Sequence, residues 1–175
     1  MKLAELIRTI PDYPKPGIMF RDITTLLSDP EGFAAVIRSL SDRYRDMNID
    51  LVAGIDARGF IIGAPLAIEL GQGFVPIRKA GKLPGETISQ TYDLEYGTDK
   101  VEIHSDVIET GARVLVVDDL IATGGTAEAA VTLIERAGGE IVECVFVVDL
   151  PDLGGRGRLE NNGKRVHALV AFDGE

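Results

Sequence analysis

A chain of 175 residues, 45% hydrophobic and 26% charged, is long enough to bury the core of one domain. Its formal net charge of −10 argues against non-specific binding to nucleic acid or anionic membranes. No apolar run reaches the roughly 20 residues that span a bilayer, and the amphipathic start carries Glu5 and lacks the apolar core of a signal peptide. The one cysteine, Cys144, has no internal disulfide partner, so core packing in a reducing cytoplasm is expected. An anionic ligand would have to be drawn by a local cluster of cations, because distant fields are screened beyond about 8–10 Å.

Leu3, Leu6, Ile7 and Ile10 have helical spacing and predict a short first helix ended by Pro11. The segment from Pro11 to Asp22 holds three prolines and a glycine, and reads as an extended, ordered loop. Its Tyr13, Ile18, Met19 and Phe20 are costly to leave in water and predict a flap over something apolar. Asp29, Pro30 and Glu31 form a helix start, and Phe33, Val36, Ile37, Leu40, Tyr44 and Met47 mark its buried face down to Asn48. Leu51–Ile55 is a buried strand that runs into Asp56, Ala57, Arg58 and Gly59. A helix over Ile61–Leu70 follows, with Pro65 expected to kink it or displace its start. Arg58 at this turn offers an anion site, or else pairs with Asp56.

Phe74–Ile77 is a short strand in which Pro76 argues for an edge or a bulge. Arg78, Lys79 and Lys82 follow, three cations within five residues, either a solvated basic face or a polyanion site. Residues 83–96, with 101–104, fit a β-arm that is a lid or a disordered insert. In it Glu95 stands between Leu94 and Tyr96, which would raise its pKa, and His104 reads as a half-exposed arm residue.

The chain is organised around residues 114–126. Val114, Leu115, Val116 and Val117 form a strand covered on both faces, and Asp118 and Asp119 stand where it runs out. Ala122, Thr123, Gly124, Gly125 and Thr126 then lead into a helix over 127–137. Such a loop offers backbone N–H groups, hydroxyls and the positive end of a helix dipole, which suit a phosphate. The two acids would repel phosphate, but accept hydrogen bonds from sugar hydroxyls or hold a metal through water. A phosphate beside a diol is a ribose 5-phosphate. Ile141–Val148 is the last long core strand, residues 155–159 a surface turn into a short helix, and Val166–Phe172 a closing strand. Strands alternating with helices give an open, mainly parallel α/β sheet flanked by helices, with ligands expected at the carboxyl ends of the strands.

The acidic pair followed by Ala-Thr-Gly-Gly-Thr resembles the phosphoribosyl pyrophosphate (PRPP) motif of type I phosphoribosyltransferases. Across nearly the whole chain the resemblance is to the bacterial-type adenine enzymes of that family. It is carried by Phe-Arg-Asp-Ile (20–23), Gly-Ile-Asp-Ala-Arg-Gly-Phe (54–60), Ile-Arg-Lys-Ala-Gly-Lys-Leu-Pro-Gly (77–85), Leu-Glu-Tyr-Gly (94–97) and residues 116–126. It implies one domain over 1–175, with an N-terminal helix and base-covering hood within 1–32 and a flexible β-arm lid over 80–104. It further implies that PRPP and adenine give AMP and pyrophosphate in purine salvage, with Mg²⁺ held mainly by PRPP and water rather than directly by protein. A homodimer is implied as well, and a cytoplasmic enzyme.

By the same resemblance Ala122 to Thr126 would hold the 5-phosphate and Asp118 and Asp119 the ribose. Asp56, Ala57 and Arg58 would bind pyrophosphate on a loop with a non-proline cis peptide, helped by Arg78, Lys79 and Lys82. Met19, Phe20 and Arg21 would cover adenine, and Glu95, with Arg58, would serve catalysis. A 6-oxopurine such as xanthine is the alternative substrate; a PRPP-binding regulator without turnover is the alternative class. Glu95 is expected to manage the purine proton or to stabilise a cationic transition state. Glu95→Gln should therefore lower kcat with PRPP affinity nearly intact, and a large loss of PRPP binding in a titration would remove that role.

Overall fold

The structure is a computed structural model and describes residues 1–94 and 96–174. The chain opens with a single 3₁₀ turn, Leu3–Leu6, and then two short strands, β1 (Arg8–Pro11) and β2 (Met19–Asp22). Helices α1 (Thr24–Ser28) and α2 (Pro30–Tyr44) follow, then β3 (Leu51–Ile55), α3 (Arg58–Leu70) and β4 (Gly73–Lys79). Next come β5 (Thr87–Asp93), β6 (Thr98–His104), β7 (Arg113–Ile121), α4 (Gly125–Arg136) and β8 (Glu140–Asp149). The chain closes with α5 (Gly155–Asn161) and β9 (Val166–Ala171).

One sheet of seven strands organises these elements, in the order β5-β6-β4-β3-β7-β8-β9. The pairs β4–β3, β3–β7, β7–β8 and β8–β9 are parallel, while the β5–β6 hairpin adds antiparallel strands at one edge. This is the expected open, mainly parallel α/β sheet. From β3 the chain turns to β4 on one side and later returns to β7 on the other. The carboxyl ends of β3 and β7 therefore meet at the reversal point where such sheets open a crevice.

Alternation explains the apolar runs. Val114 and Val116 of β7, with Cys144 and Phe146 of β8, pack against Ala130, Leu133 and Ile134 of α4. Leu115, Val117, Val145 and Val147 face the other way, against Val36 and Leu40 of α2 and Ile62 and Leu66 of α3. Successive strand residues point to opposite faces, so a strand buried on both sides needs an apolar residue at every position. Cys144 is buried in this core, and burial pushes its thiol up to about 12.

Several elements differ from expectation. The first helix is only one 3₁₀ turn, because from Arg8 onward the backbone pairs with β2, Ile10 opposite Phe20. The loop before Asp22 is thus half of a hairpin that forms its own two-stranded sheet. Helix α2 starts as read, with Asp29 capping the Gly32 N–H at 2.7 Å, but it stops at Tyr44, short of the left-handed Asn48 (φ 55°). Helix α3 begins at Arg58 and contains Pro65, so the proline does not displace its start. Pro76 does lie where one side of its strand is open: β4 pairs with β3 throughout 73–77 but meets β6 only at Arg78 and Lys79. The arm is no free excursion, since Tyr92, Val101 and Ile103 are buried in the α4-side core. No described helix is long and apolar enough to cross a membrane.

Candidate active site

The acids of β7 do not follow the strand; they belong to it, since pairing with β8 continues to Ile121. Leu115, Val117 and Asp119 share one face of β7, the α3 face, and there the buried Asp119 carboxylate accepts from Nε of Arg58 in the first turn of α3. Gly59 permits this approach. A Cβ on it would stand 2.8 Å from the Val117 carbonyl oxygen and 3.1 Å from Oδ1 of Asp118. Arg58 therefore does not pair with Asp56. Burial opposes the guanidinium charge, but the Asp119 partner outweighs it and keeps Arg58 more firmly cationic than an ordinary arginine.

Asp118 accepts the Asp119 N–H at 2.8 Å and lines a cavity of about 130 Å³ with Ala122, Thr123, Gly124, Gly125 and Thr126. Burial, then the neighbouring Asp119 carboxylate, pushes Asp118 well above the usual carboxylate range. Hydroxyl donors or positive charge arriving with a ligand would relieve that repulsion. On the far side of the cavity, α4 begins without a side-chain cap, its Ncap Gly124 left-handed at φ 85°. The N–H groups of its first turn have no acceptor within the helix and face an anion-sized space.

That loop is supported by a residue the sequence reading passed over. Gly155, in the first turn of α5, donates its N–H to the Ala122 carbonyl at 2.9 Å. A Cβ there would lie 2.4 Å from that oxygen and 2.8 Å from the Gly124 nitrogen. The only sequence signal was the paired glycine at 154–155, which reads equally well as a turn.

At the end of β3 the Asp56–Ala57 peptide is cis, as the resemblance implied. The buried Asp56 side chain collects the basic run: Arg78 Nε stands 3.5 Å away and Lys82 Nζ 3.8 Å away. Lys79 instead reaches the arm, 3.2 Å from Asp99 and 3.1 Å from the Tyr92 hydroxyl. Arg58, Arg78, Lys79 and Lys82 thus each have an acid of this chain nearby. Nε of Arg78, the atom that faces Asp56, is buried without a hydrogen-bond acceptor among the described residues.

The hood closes a second cavity of about 320 Å³, lined by Ile10, Tyr13, Phe20, Arg21, Asp22, Ile23, Thr24 and Arg58. Phe20 packs edge-on against Tyr13, ring centroids 5.2 Å apart, which gives a flat ligand an aromatic wall. Phe20 and Arg21 line this cavity, whereas Met19 is on the hood, 39% exposed, and outside the lining. Arg58 joins this cavity to the acid pair. Asp22 had been assigned no role; it is buried and accepts from Arg8 Nε at 3.1 Å, Thr24 N at 2.9 Å and Thr24 Oγ1 at 2.7 Å. The Arg8 guanidinium, then the Thr24 donors, hold its carboxyl down at about 2. Its stabilisation of the hood is present at neutral pH and is lost only as the pH falls below the ordinary carboxylate range toward 2. Glu95 lies outside the described residues.

The chain is similar to known proteins over nearly its whole length. The phosphoribosyl transferase domain matches residues 22–167. The chain is 64% identical to the adenine phosphoribosyltransferase of Nitrosospira multiformis over 174 residues, 99% of each chain. In structure it is similar to the adenine phosphoribosyltransferase of Rhodothermus marinus (TM-score 0.90, 51% identity, 97% of this chain and 96% of that one). It is also similar to that of Saccharomyces cerevisiae, solved with an imino-altritol bisphosphate and adenine (TM-score 0.90, 40% identity, 96% of each).

The support under the phosphate-sized cavity can be tested directly. Gly155→Ala must displace the 122–125 loop, and should weaken ribose 5-phosphate binding by at least about tenfold in calorimetric titration. Wild-type affinity in that variant would show that α5 does not hold the loop.

Proposed function

Since the chain belongs to the phosphoribosyltransferase family, we infer that it transfers the 5-phosphoribosyl group of PRPP to adenine, releasing AMP and pyrophosphate in purine salvage. The observation that carries this reading is Arg58: it lines the flat, aromatic-walled cavity and pairs with the acid beside the phosphate-sized one. A base, a ribose and its 5-phosphate need that arrangement, in that order.

Each group then has a physical task. The first-turn N–H groups of α4, with Thr123 and Thr126, hold the 5-phosphate, while Asp118 and Asp119 accept from the ribose hydroxyls. The bond from C1 of the ribose to the pyrophosphate oxygen breaks ahead of attack, N9 of adenine forms the new bond, and the purine gives up its N9 proton. Arg58, Arg78, Lys79 and Lys82 stabilise the departing anion; they are already gathered, so little reorganisation is needed when it forms. Phe20 and Arg21, with Met19 on the outer hood, cover the base, and Glu95 manages its proton or the cationic ribose.

Mg²⁺ keeps several of its waters and binds phosphates, which suits the adjacent carboxylates Asp118 and Asp119 as acceptors beside a phosphate-sized cavity. Bound to PRPP, with Asp118 and Asp119 accepting from its waters, it would supply positive charge to the leaving group. The β5–β6 hairpin serves as lid. Its strands are anchored in the core while Leu94 and Tyr96 near its tip are 47% and 86% exposed, apolar surface that closure over the ribose would cover. A homodimer is supported by Ile61 and Ile68, 43% and 79% exposed on the outer side of α3, the helix that starts at Arg58.

A competition assay tests the reaction: PRPP and Mg²⁺ with equal adenine, hypoxanthine, guanine and xanthine. AMP is the expected sole product, abolished by a chelator. Nucleotide from an oxopurine would overturn the specificity, and PRPP binding without any product would make the chain a regulator. For the assembly, sedimentation should show a dimer that Ile68→Glu shifts to monomer; an unshifted dimer would place the interface elsewhere.

A further inference from the structure

Arg21 forms part of the base cavity, yet what holds its side chain lies outside that cavity. Its Nη1 donates to the Thr9 hydroxyl at 2.6 Å, its Nη2 reaches the Gly174 carbonyl at 3.4 Å, and its guanidinium carbon stands 4.4 Å over the ring of Phe172. No carboxylate pairs with Arg21 among the described residues. Its Nε is buried and has no acceptor there.

Two of these three contacts come from the C-terminal tail, some 150 residues away in sequence. The tail is itself fixed. Phe172 donates its N–H to the Asp149 carbonyl at 3.0 Å, at the carboxyl end of β8, and Gly174 donates to Oδ2 of Asp152 at 2.7 Å. Tail residues 172–174 thus run as a strap from the rigid sheet to the hood. The hood needs such a strap, because β1 and β2 pair only with each other and not with the main sheet. An arginine carries several rotatable bonds, and a ring face restrains it without neutralising its charge.

We propose that Phe172 is a positioning residue for the base: its ring fixes the Arg21 guanidinium, and through it the β2 segment that covers the base cavity. The inference rests on the reading of that cavity as the adenine site. It separates base binding from PRPP binding, since the hydrogen bonds and ring contact of residues 172–174 go to the hood, Asp149 and Asp152, with none among the described residues to the 122–126 loop or the basic run.

The test is steady-state kinetics on wild type, Phe172→Ala, Phe172→Leu and Phe172→Tyr, varying each substrate with the other saturating. Phe172→Ala should raise KM for adenine by roughly fivefold to thirtyfold, with KM for PRPP unchanged. Phe172→Leu keeps apolar bulk but no aromatic face and should show the same split, while Phe172→Tyr should restore wild-type values. Unchanged adenine KM in both Ala and Leu variants, equal rises for both substrates, or wild-type behaviour of Leu would overturn the assignment. Wild type that makes no AMP in the same assay would overturn the adenine reading instead.

Discussion

The site depends on one constraint, the side-by-side parallel pairing of β3 and β7, with Gly54 in register with Val117. Because the strands run in the same direction, both release their chemistry at one edge: Asp56 after β3, Asp118 and Asp119 along β7. Helix α3 then starts within a residue of the Asp56–Ala57 peptide, and its Gly59 brings Arg58 against Asp119. A side chain at Gly59 would hold the helix off the strand and part that ion pair. The sheet thereby sets distances that the loops alone could not hold, since loop backbone lacks the paired hydrogen bonds that make a strand rigid.

Charge at this edge is managed locally. A chain of net charge −10 has no general attraction for an anion, and four cations crowded together would repel one another. The acids Asp56, Asp99 and Asp119 offset that repulsion and keep Arg58, Arg78, Lys79 and Lys82 in place. A polyanion arriving here would meet cations that are already oriented. The raised Asp118 adds the opposite preference next door, for hydroxyl donors or positive charge.

The hood obeys different physics. Its two strands form a separate sheet, and it joins the body through packing of Ile7 and Ile23 into the α2–α3 core and the Arg21 contacts with the tail. Few buried apolar contacts hold it compared with β7 or β8. An element of that kind opens at lower free energy than the sheet, which would suit a cover over a ligand that must enter and leave. Placing the restraint on an aromatic face and single hydrogen bonds keeps it weak enough to move.

Much of this was legible in the residues. Short apolar runs at 51–55 and 114–117, each leading into acids and a turn, read as strands buried on both faces, Asp29 before Pro30 can cap a helix, and Gly-Gly after two acids suits an anion at a helix start. These are local matters of side-chain burial and backbone freedom, read over a few neighbours. What the residues left open was partnership. Leu3, Leu6, Ile7 and Ile10 fit a helix by spacing, but β2 offered Ile10 an edge to pair with, and tertiary pairing outweighs weak local propensity. Arg58 had Asp56 two residues away and took Asp119 instead; Gly155 became the support of a loop thirty residues earlier; Phe172 met Arg21 across the molecule. The sequence by itself determined the core strands, the small-residue loop that leads into α4 and the stock of charges. Only the tertiary structure decided which charge meets which and what holds the hood, because those contacts join residues whose separation along the chain says nothing of their distance in space.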